Sequence, residues 1–104
     1  MKNELTSKQN GKEEKAIASV TEFSIYPNPF NPSTVLSYKL SAPVFISLKI
    51  YDILGREVAK LINEFQSSGR HTVSWNASTR PSGVYFYRLE YGGKAKVGKM
   101  LLAR

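Results

Sequence analysis

Apolar and polar residues alternate with a period of two along most of the chain after residue 33. Such alternation is typical of antiparallel strands that have one face in the core and the other in water. The pattern predicts strands over residues 34–40, 44–52, 70–75, 84–91 and 94–103, and a short strand with a bulge over residues 57–63. The positions that face inward in these strands form the predicted core: Leu36, Tyr38, Leu40, Ile46, Leu48, Ile50, Val73, Trp75, Tyr87 and Leu89.

Turn-forming residues stand between the predicted strands at regular intervals. Pro43, Gly55, Gly69 and Gly83 each lie at a point where the chain must reverse direction. The pair Gly92-Gly93 lies between two alternating segments, which is the signal of a tight β-hairpin. About seven short strands with turns at this spacing predict an all-β protein with the architecture of an antiparallel β-sandwich.

The first 22 residues differ in composition from the remainder. They hold four lysines and four glutamates, and they contain no aromatic residue and no proline. A segment of this kind cannot bury enough apolar surface to offset the entropy that it loses on ordering. We therefore predict a polar N-terminal arm or linker over residues 1–22. A single folded domain is predicted over residues 23–104, which carry all of the aromatic residues.

A proline-rich segment precedes the first of these alternating strands. Pro27, Pro29 and Pro32 fall within six residues, and a residue that precedes a proline is restricted to extended conformations. Because proline has no backbone N–H, the segment is predicted to cross the domain without helix or strand pairing. Phe30 is its one large apolar side chain and is expected to lie at the edge of the core.

The side-chain chemistry of the sequence argues against catalysis. There is no cysteine, which excludes a disulfide framework, a thiolate metal site and a cysteine nucleophile. His71 is the only histidine, and neither a nucleophile motif nor a metal-ligand spacing accompanies it. We therefore predict no enzyme activity, no metal and no cofactor. We expect His71 to be a partly buried strand residue with one hydrogen-bonded ring nitrogen.

The formal net charge of +7 resides in residues 23–104, and much of it is in the last predicted hairpin, at Arg88, Lys94, Lys96, Lys99 and Arg104. One interpretation is a solvated edge strand, on which lysines deter edge-to-edge pairing. The other is contact with an anionic partner, because complementary charge speeds encounter. Nucleic acid is the weakest candidate, since no nucleic-acid-binding motif accompanies the charge.

Five short motifs occur in a distinctive order: YPNPFNPST at 26–34, LKIYDILGREV at 48–58, GRHTVSW at 69–75, SGVYFYRL at 82–89 and KMLL at 99–102. With these motifs in register, residues 23–104 resemble the type A C-terminal sorting domain of the type IX (Por) secretion system. The resemblance implies a seven-stranded immunoglobulin-like sandwich, in agreement with the alternating pattern. A related pattern occurs in the immunoglobulin-like domain of the flagellar hook-capping protein, where the domain is internal.

The resemblance implies a non-catalytic address signal. Domains of this family end larger secreted proteins, are recognised by the translocon and outer-membrane shuttle proteins, and are commonly removed by a surface peptidase. The family therefore implies an upstream cargo domain, transit through the periplasm to the cell surface or the extracellular space, and anionic lipopolysaccharide as a further partner. Together with the basic hairpin, the family motifs predict recognition at Gly83, Tyr85, Lys94, Lys96, Lys99, Met100, Leu101, Leu102 and Arg104.

Two other functions stay open from the residues alone. One is a structural or adhesive immunoglobulin-like module that self-associates through the arm, with a strand over residues 16–23 adding to a neighbouring copy. The other is a carbohydrate-binding module, in which Phe45, Tyr51 or Phe86 stacks on sugar rings from a wet strand face. The family resemblance also implies an N-terminal signal peptide, and residues 1–22 contain no apolar segment of that type. The resemblance therefore implies that the sequence is a C-terminal fragment of a longer protein.

Overall fold

The computed structural model describes residues 17–104, which contain seven strands and no helix. The strands are β1 Val20–Tyr26, β2 Ser33–Leu40, β3 Val44–Tyr51, β4 Glu57–Gln66, β5 Gly69–Asn76, β6 Gly83–Tyr91 and β7 Lys94–Leu102. The bounds of β2, β3, β5, β6 and β7 agree with the predicted segments to within one residue. β4 continues to Gln66 instead of ending at residue 63, and β1 was not among the strands predicted from the alternation.

The seven strands pair in two sheets. One sheet has three strands in the order β1-β2-β5, and the other has four strands in the order β4-β3-β6-β7. Every pairing is antiparallel, so the predicted all-β sandwich of seven antiparallel strands is confirmed. The register of β3 with β4 shifts after Leu48 and again after Ile50, which is the irregularity that the sequence of β4 predicts.

The core lies between the two sheets. All of the predicted core positions are at most 8% exposed except Val73, which is half-buried. The structure adds further buried side chains that alternation did not assign to the core: Ala18, Phe30, Ile62, Ala77, Tyr85, Met100 and Leu102.

Tyr38 connects the two sheets through a polar contact inside the core. Its side chain is fully buried in β2, and its hydroxyl donates a hydrogen bond to Oε1 of Gln66 at the end of β4. Burial raises the pKa of Tyr38 to about 12, because the charged phenolate would lose its hydration there. The phenol therefore stays neutral, and the hydrogen bond satisfies a polar atom that would otherwise be buried alone.

The first strand begins at Val20, within the segment predicted as an arm. Just before it, Ala18 is 3% exposed, and the amide of Ser19 donates to Oγ of Ser41 at 2.8 Å. Of the segment 16–23 that was expected to add to a neighbouring copy, residues 20–23 belong to β1, which pairs with β2 of the same chain. Phe23 packs against the core of its own domain, which favours this pairing. The remainder of the predicted arm, residues 1–16, lies outside the described residues.

Candidate recognition surface

The hairpin of β6 and β7 forms one edge of the four-stranded sheet. Its two strands pair without interruption from Tyr91 opposite Lys94 to Gly83 opposite Leu102. The turn between them consists of Gly92 and Gly93, with φ angles of 53° and 79°. Positive φ at both central residues is what a tight hairpin turn requires, and glycine adopts it without steric cost. β7 is therefore presented along the open side of the sheet.

The predicted recognition residues separate into two groups in the folded domain. Lys94, Lys96, Lys99, Leu101 and Arg104 are exposed. The second group comprises a half-buried glycine and three side chains of the core: Gly83, Tyr85, Met100 and Leu102. While the domain stays folded, a partner can contact the exposed group and the half-buried backbone at Gly83, whereas the side chains of Tyr85, Met100 and Leu102 lie in the core.

The proline segment, residues 27–32, contacts the end of β7. The amide of Phe30 donates to the carbonyl of Leu101 at 2.9 Å, and the amide of Ala103 donates to the carbonyl of Phe30 at 3.0 Å. The amide of Leu101 donates to Oδ1 of Asn28 at 3.1 Å. The expectation that this segment makes no strand pairing was therefore wrong at one residue, because Phe30 keeps the N–H that its proline neighbours lack and forms a parallel bridge with Leu102.

An aromatic cluster lies under this contact. The ring of Phe30, which is 2% exposed, has its centroid 5.5 Å from that of Trp75. Trp75 in turn meets Tyr85 edge to face, with their centroids 5.3 Å apart. Such tilted and edge-to-face pairs are favourable beyond the apolar area that they bury. The sequence placed Phe30 at the edge of the core, whereas the structure places it within the core itself.

The hydroxyl of Tyr85 donates to the carbonyl of Pro81 at 2.6 Å. This is the arrangement of a tyrosine corner, in which a tyrosine at the start of a strand bonds the backbone a few residues upstream. The contact holds segment 77–82 against the beginning of β6.

Replacing Tyr85 with phenylalanine should lower the free energy of unfolding by about 1 kcal/mol, because the ring stays and one part-buried hydrogen bond is lost. Chemical denaturation of the purified domain measures the change. Tyr26→Phe is the matched control, since Tyr26 is 79% exposed and its substitution should leave stability unchanged. An equal effect of the two substitutions would contradict the role of the hydroxyl.

Arg104 also contacts segment 77–82. Its Nη2 lies 2.9 Å from the carbonyl oxygens of both Ala77 and Ser78, and it contacts the carbonyl oxygen of Arg80 as well. Its amide donates to Oγ of Ser82 at 3.3 Å. The guanidinium therefore satisfies backbone acceptors of a loop, and a partner that used this group would compete with those contacts.

The lysines of β7 point to different sides of the sheet. Lys96 has the same parity as Met100, and its Nζ lies 5.7 Å from the centroid of the Phe23 ring on the other sheet. An inward-pointing lysine on an edge strand opposes pairing with another chain. Lys99 and Leu101 alternate with these residues and lie on the outer face. The interpretation of the lysines as protection of an edge therefore applies most directly to Lys96.

A tight loop joins β3 to β4 at the same end of the sandwich as Gly83. Oδ1 of Asp52 accepts hydrogen bonds from the amides of Leu54 at 3.0 Å and Arg56 at 2.9 Å, and Oδ2 accepts one from Nε of Arg56 at 2.8 Å. The backbone hydrogen bond from Arg56 is the main reason that the pKa of Asp52 lies below its ordinary value. The loop leaves Ile53 and Leu54 each 73% exposed.

The outer face of the four-stranded sheet holds the side chains of the carbohydrate alternative. Phe45 is 53% exposed and lies opposite Phe65, which is 67% exposed. Tyr51 and Phe86 are neighbours on adjacent strands and are half-buried. A shallow depression of about 620 Å³ lies beside Phe45. Of the three proposed stacking residues, Phe45 is thus the one with a largely open ring.

The side chain of His71 makes the contacts expected of a partly buried strand residue. Nε2 of His71 is 2.8 Å from the carbonyl oxygen of Ser67, and its ring stacks on Tyr38 with centroids 5.6 Å apart. Within residues 17–104, no three histidine or acidic side chains come together in a group that could hold a metal ion. In the same residues, no helix has the length and apolar character needed to cross a membrane.

Comparison with known proteins identifies the family. No curated protein matches the chain. The family model described as the secretion system C-terminal sorting domain matches residues 24–103, which include all seven strands except the first residues of β1. This range contains the terminal hairpin, the proline segment and the loop between β3 and β4. The chain belongs to the family of C-terminal sorting domains of the type IX secretion system.

Proposed function

We propose that this domain is a non-catalytic address signal that directs an attached cargo across the outer membrane by the type IX system. The terminal hairpin is the part of the domain that the secretion machinery recognises. Its partners are the translocon and the outer-membrane shuttle proteins, and the route of the cargo runs through the periplasm to the cell surface or the medium. Membership of the sorting-domain family supports the general function.

The observation that carries the proposal is the position of β7. The strand lies at a sheet edge and presents Lys94, Lys96, Lys99 and Leu101 to solvent, next to core residues that hold it in place. Positive charge on both sides of an edge strand attracts an acidic protein surface and speeds encounter with it. The same charge suits anionic lipopolysaccharide, which we keep as a further partner of this strand.

A secretion assay tests the proposal. The full chain, residues 1–104, is fused behind a signal peptide and a fluorescent cargo in a cell with an active type IX system. A second fusion ends at Gly92 and lacks β7. We expect only the first fusion to reach the surface or the medium. Retention of both, or equal export of both, would overturn the proposal.

A variant that keeps the strand separates recognition from folding. Lys94→Gln, Lys96→Gln and Lys99→Gln together remove three charges from exposed positions of β7. The control removes charges from exposed positions of other strands, by Lys39→Gln and Lys60→Gln. We expect the first set to lower the secreted fraction about tenfold and the control set to leave it near wild type. Equal secretion of the two variants would contradict recognition of the basic hairpin through its charges.

A further inference from the structure

The loop between β3 and β4 exposes two large aliphatic side chains on a rigid base. Ile53 and Leu54, called the apolar tip below, follow Asp52, whose carboxylate accepts three hydrogen bonds from the loop. The amide of Gly55 donates to the carbonyl of Asp52 at 2.9 Å, and its φ of 82° closes the turn. A preorganised loop loses little entropy on binding, so apolar side chains held in this way suit an interface.

The apolar tip lies beside the residues at the start of β6. A cleft of about 350 Å³ separates the loop from residues 80–85, and its walls include Leu54, Pro81, Gly83 and Val84. In the hairpin, Val84 is opposite Leu101. The tip and the cleft therefore form one apolar surface with the end of the hairpin that carries Gly83 and Leu101.

The charges at the border of this surface are positive. The side chain of Arg56 is 72% exposed, whereas that of its partner Asp52 is 14% exposed, so the cation and not the carboxylate faces solvent. Arg80 lies on the other side of the cleft. Exposed aliphatic residues flanked by arginines match a protein surface that has an apolar recess bordered by carboxylates.

We propose that the apolar tip, with the cleft beside it, is a second contact with the protein that reads the hairpin, and that this partner offers an apolar recess bordered by carboxylates. The proposal rests on the sorting function proposed above and adds Ile53 and Leu54 to the residues that a partner contacts. The tip lies at the Gly83 end of the hairpin, and Lys94 and Lys96 lie towards the opposite end. The partner therefore spans the length of β7.

The same fusion of the full chain tests the tip. Ile53→Ser with Leu54→Ser removes the aliphatic side chains, and Tyr26→Ser with Val35→Ser is the matched control. The control pair is also exposed, and its two residues lie opposite each other on the other sheet. Because none of the four side chains is buried, both double variants should keep the thermal midpoint of the parent domain. We expect the tip variant to lower the secreted fraction about tenfold or more and the control variant to leave it unchanged.

The charged border has its own test. Arg80→Glu reverses a charge beside the cleft, and Lys60→Glu makes the same change on β4. We expect the first substitution to lower secretion and the second to leave it near wild type. Equal effects of these two substitutions would overturn the carboxylate part of the proposal.

The outcomes distinguish this inference from the sorting function. If the parent fusion is not exported, the proposed function fails. If the parent is exported and the tip variant is exported equally, the second contact alone fails. A lipid surface is the competing occupant of the tip. Binding of the parent domain to phosphatidylglycerol vesicles, lost in the tip variant, would show a membrane contact and contradict a protein partner.

Discussion

Replacing Phe30 with alanine is expected to lower the free energy of unfolding by about 3–5 kcal/mol. The ring is 2% exposed and contacts Trp75, so its removal leaves a cavity in the aromatic cluster. Domains of this size are stable by only about 5–15 kcal/mol. A single substitution in the proline segment is thus expected to remove a large part of the stability of the fold.

The loss should be largest at the end of β7. The backbone of Phe30 exchanges hydrogen bonds with Leu101 and Ala103, and its ring holds that backbone in place. Hydrogen exchange of the Leu101 and Ala103 amides, measured together with chemical denaturation, reports both effects. Phe65→Ala is the control, because Phe65 is 67% exposed and should change stability little. A cost below about 1 kcal/mol for Phe30→Ala would contradict the anchoring role.

Replacing Gly98 with alanine is expected to cost about 1–3 kcal/mol, although the change adds one methyl group. A Cβ at this position would stand 2.6 Å from Cε2 and Cζ of Tyr87 on the paired strand. The Tyr87 ring cannot move freely, because it is 8% exposed and contacts the tilted ring of Phe23 with centroids 4.8 Å apart. Either the ring or β7 must therefore shift, and each shift disturbs the terminal hairpin.

A double-mutant cycle identifies the clash as the cause. Gly98→Ala is measured in the parent domain and in a Tyr87→Leu background, where the ring is absent. We expect the alanine to cost less in the second background, since the closest atoms have been removed. Val97→Ala, at a 57% exposed neighbour on the same strand, controls for a general change in β7. The same cost of Gly98→Ala in both backgrounds would refute steric contact with Tyr87.

Much of the fold was predictable because alternation is a local property. Whether Leu48 or Lys49 faces inward depends on the pleat of one strand, and the pleat is visible within a few residues. The turn at Gly92-Gly93 is local in the same sense. The family was recognisable for a related reason, since its motifs are short segments in a definite order.

The candidate surface was less predictable, because it depends on segments far apart in the chain. Asn28 and Leu101 share a hydrogen bond, and Tyr87 packs against Gly98 because that residue has no side chain. Neither contact leaves a periodic signal in its own segment. The exposure of Ile53 and Leu54 was also not predictable from the sequence, because aliphatic residues beside a strand are usually expected to lie inside.

The class of fold, the inward face of most strands and the family of the chain follow from the order of its residues alone. Which of the predicted recognition residues stay accessible depends on contacts between segments that are distant in the chain. The tertiary structure places Lys99 and Leu101 outside but Met100 and Leu102 inside, and it brings the loop at Ile53 to the end of the hairpin. The physical reason is that alternation orients a side chain relative to its own strand, whereas accessibility depends on what the other segments cover.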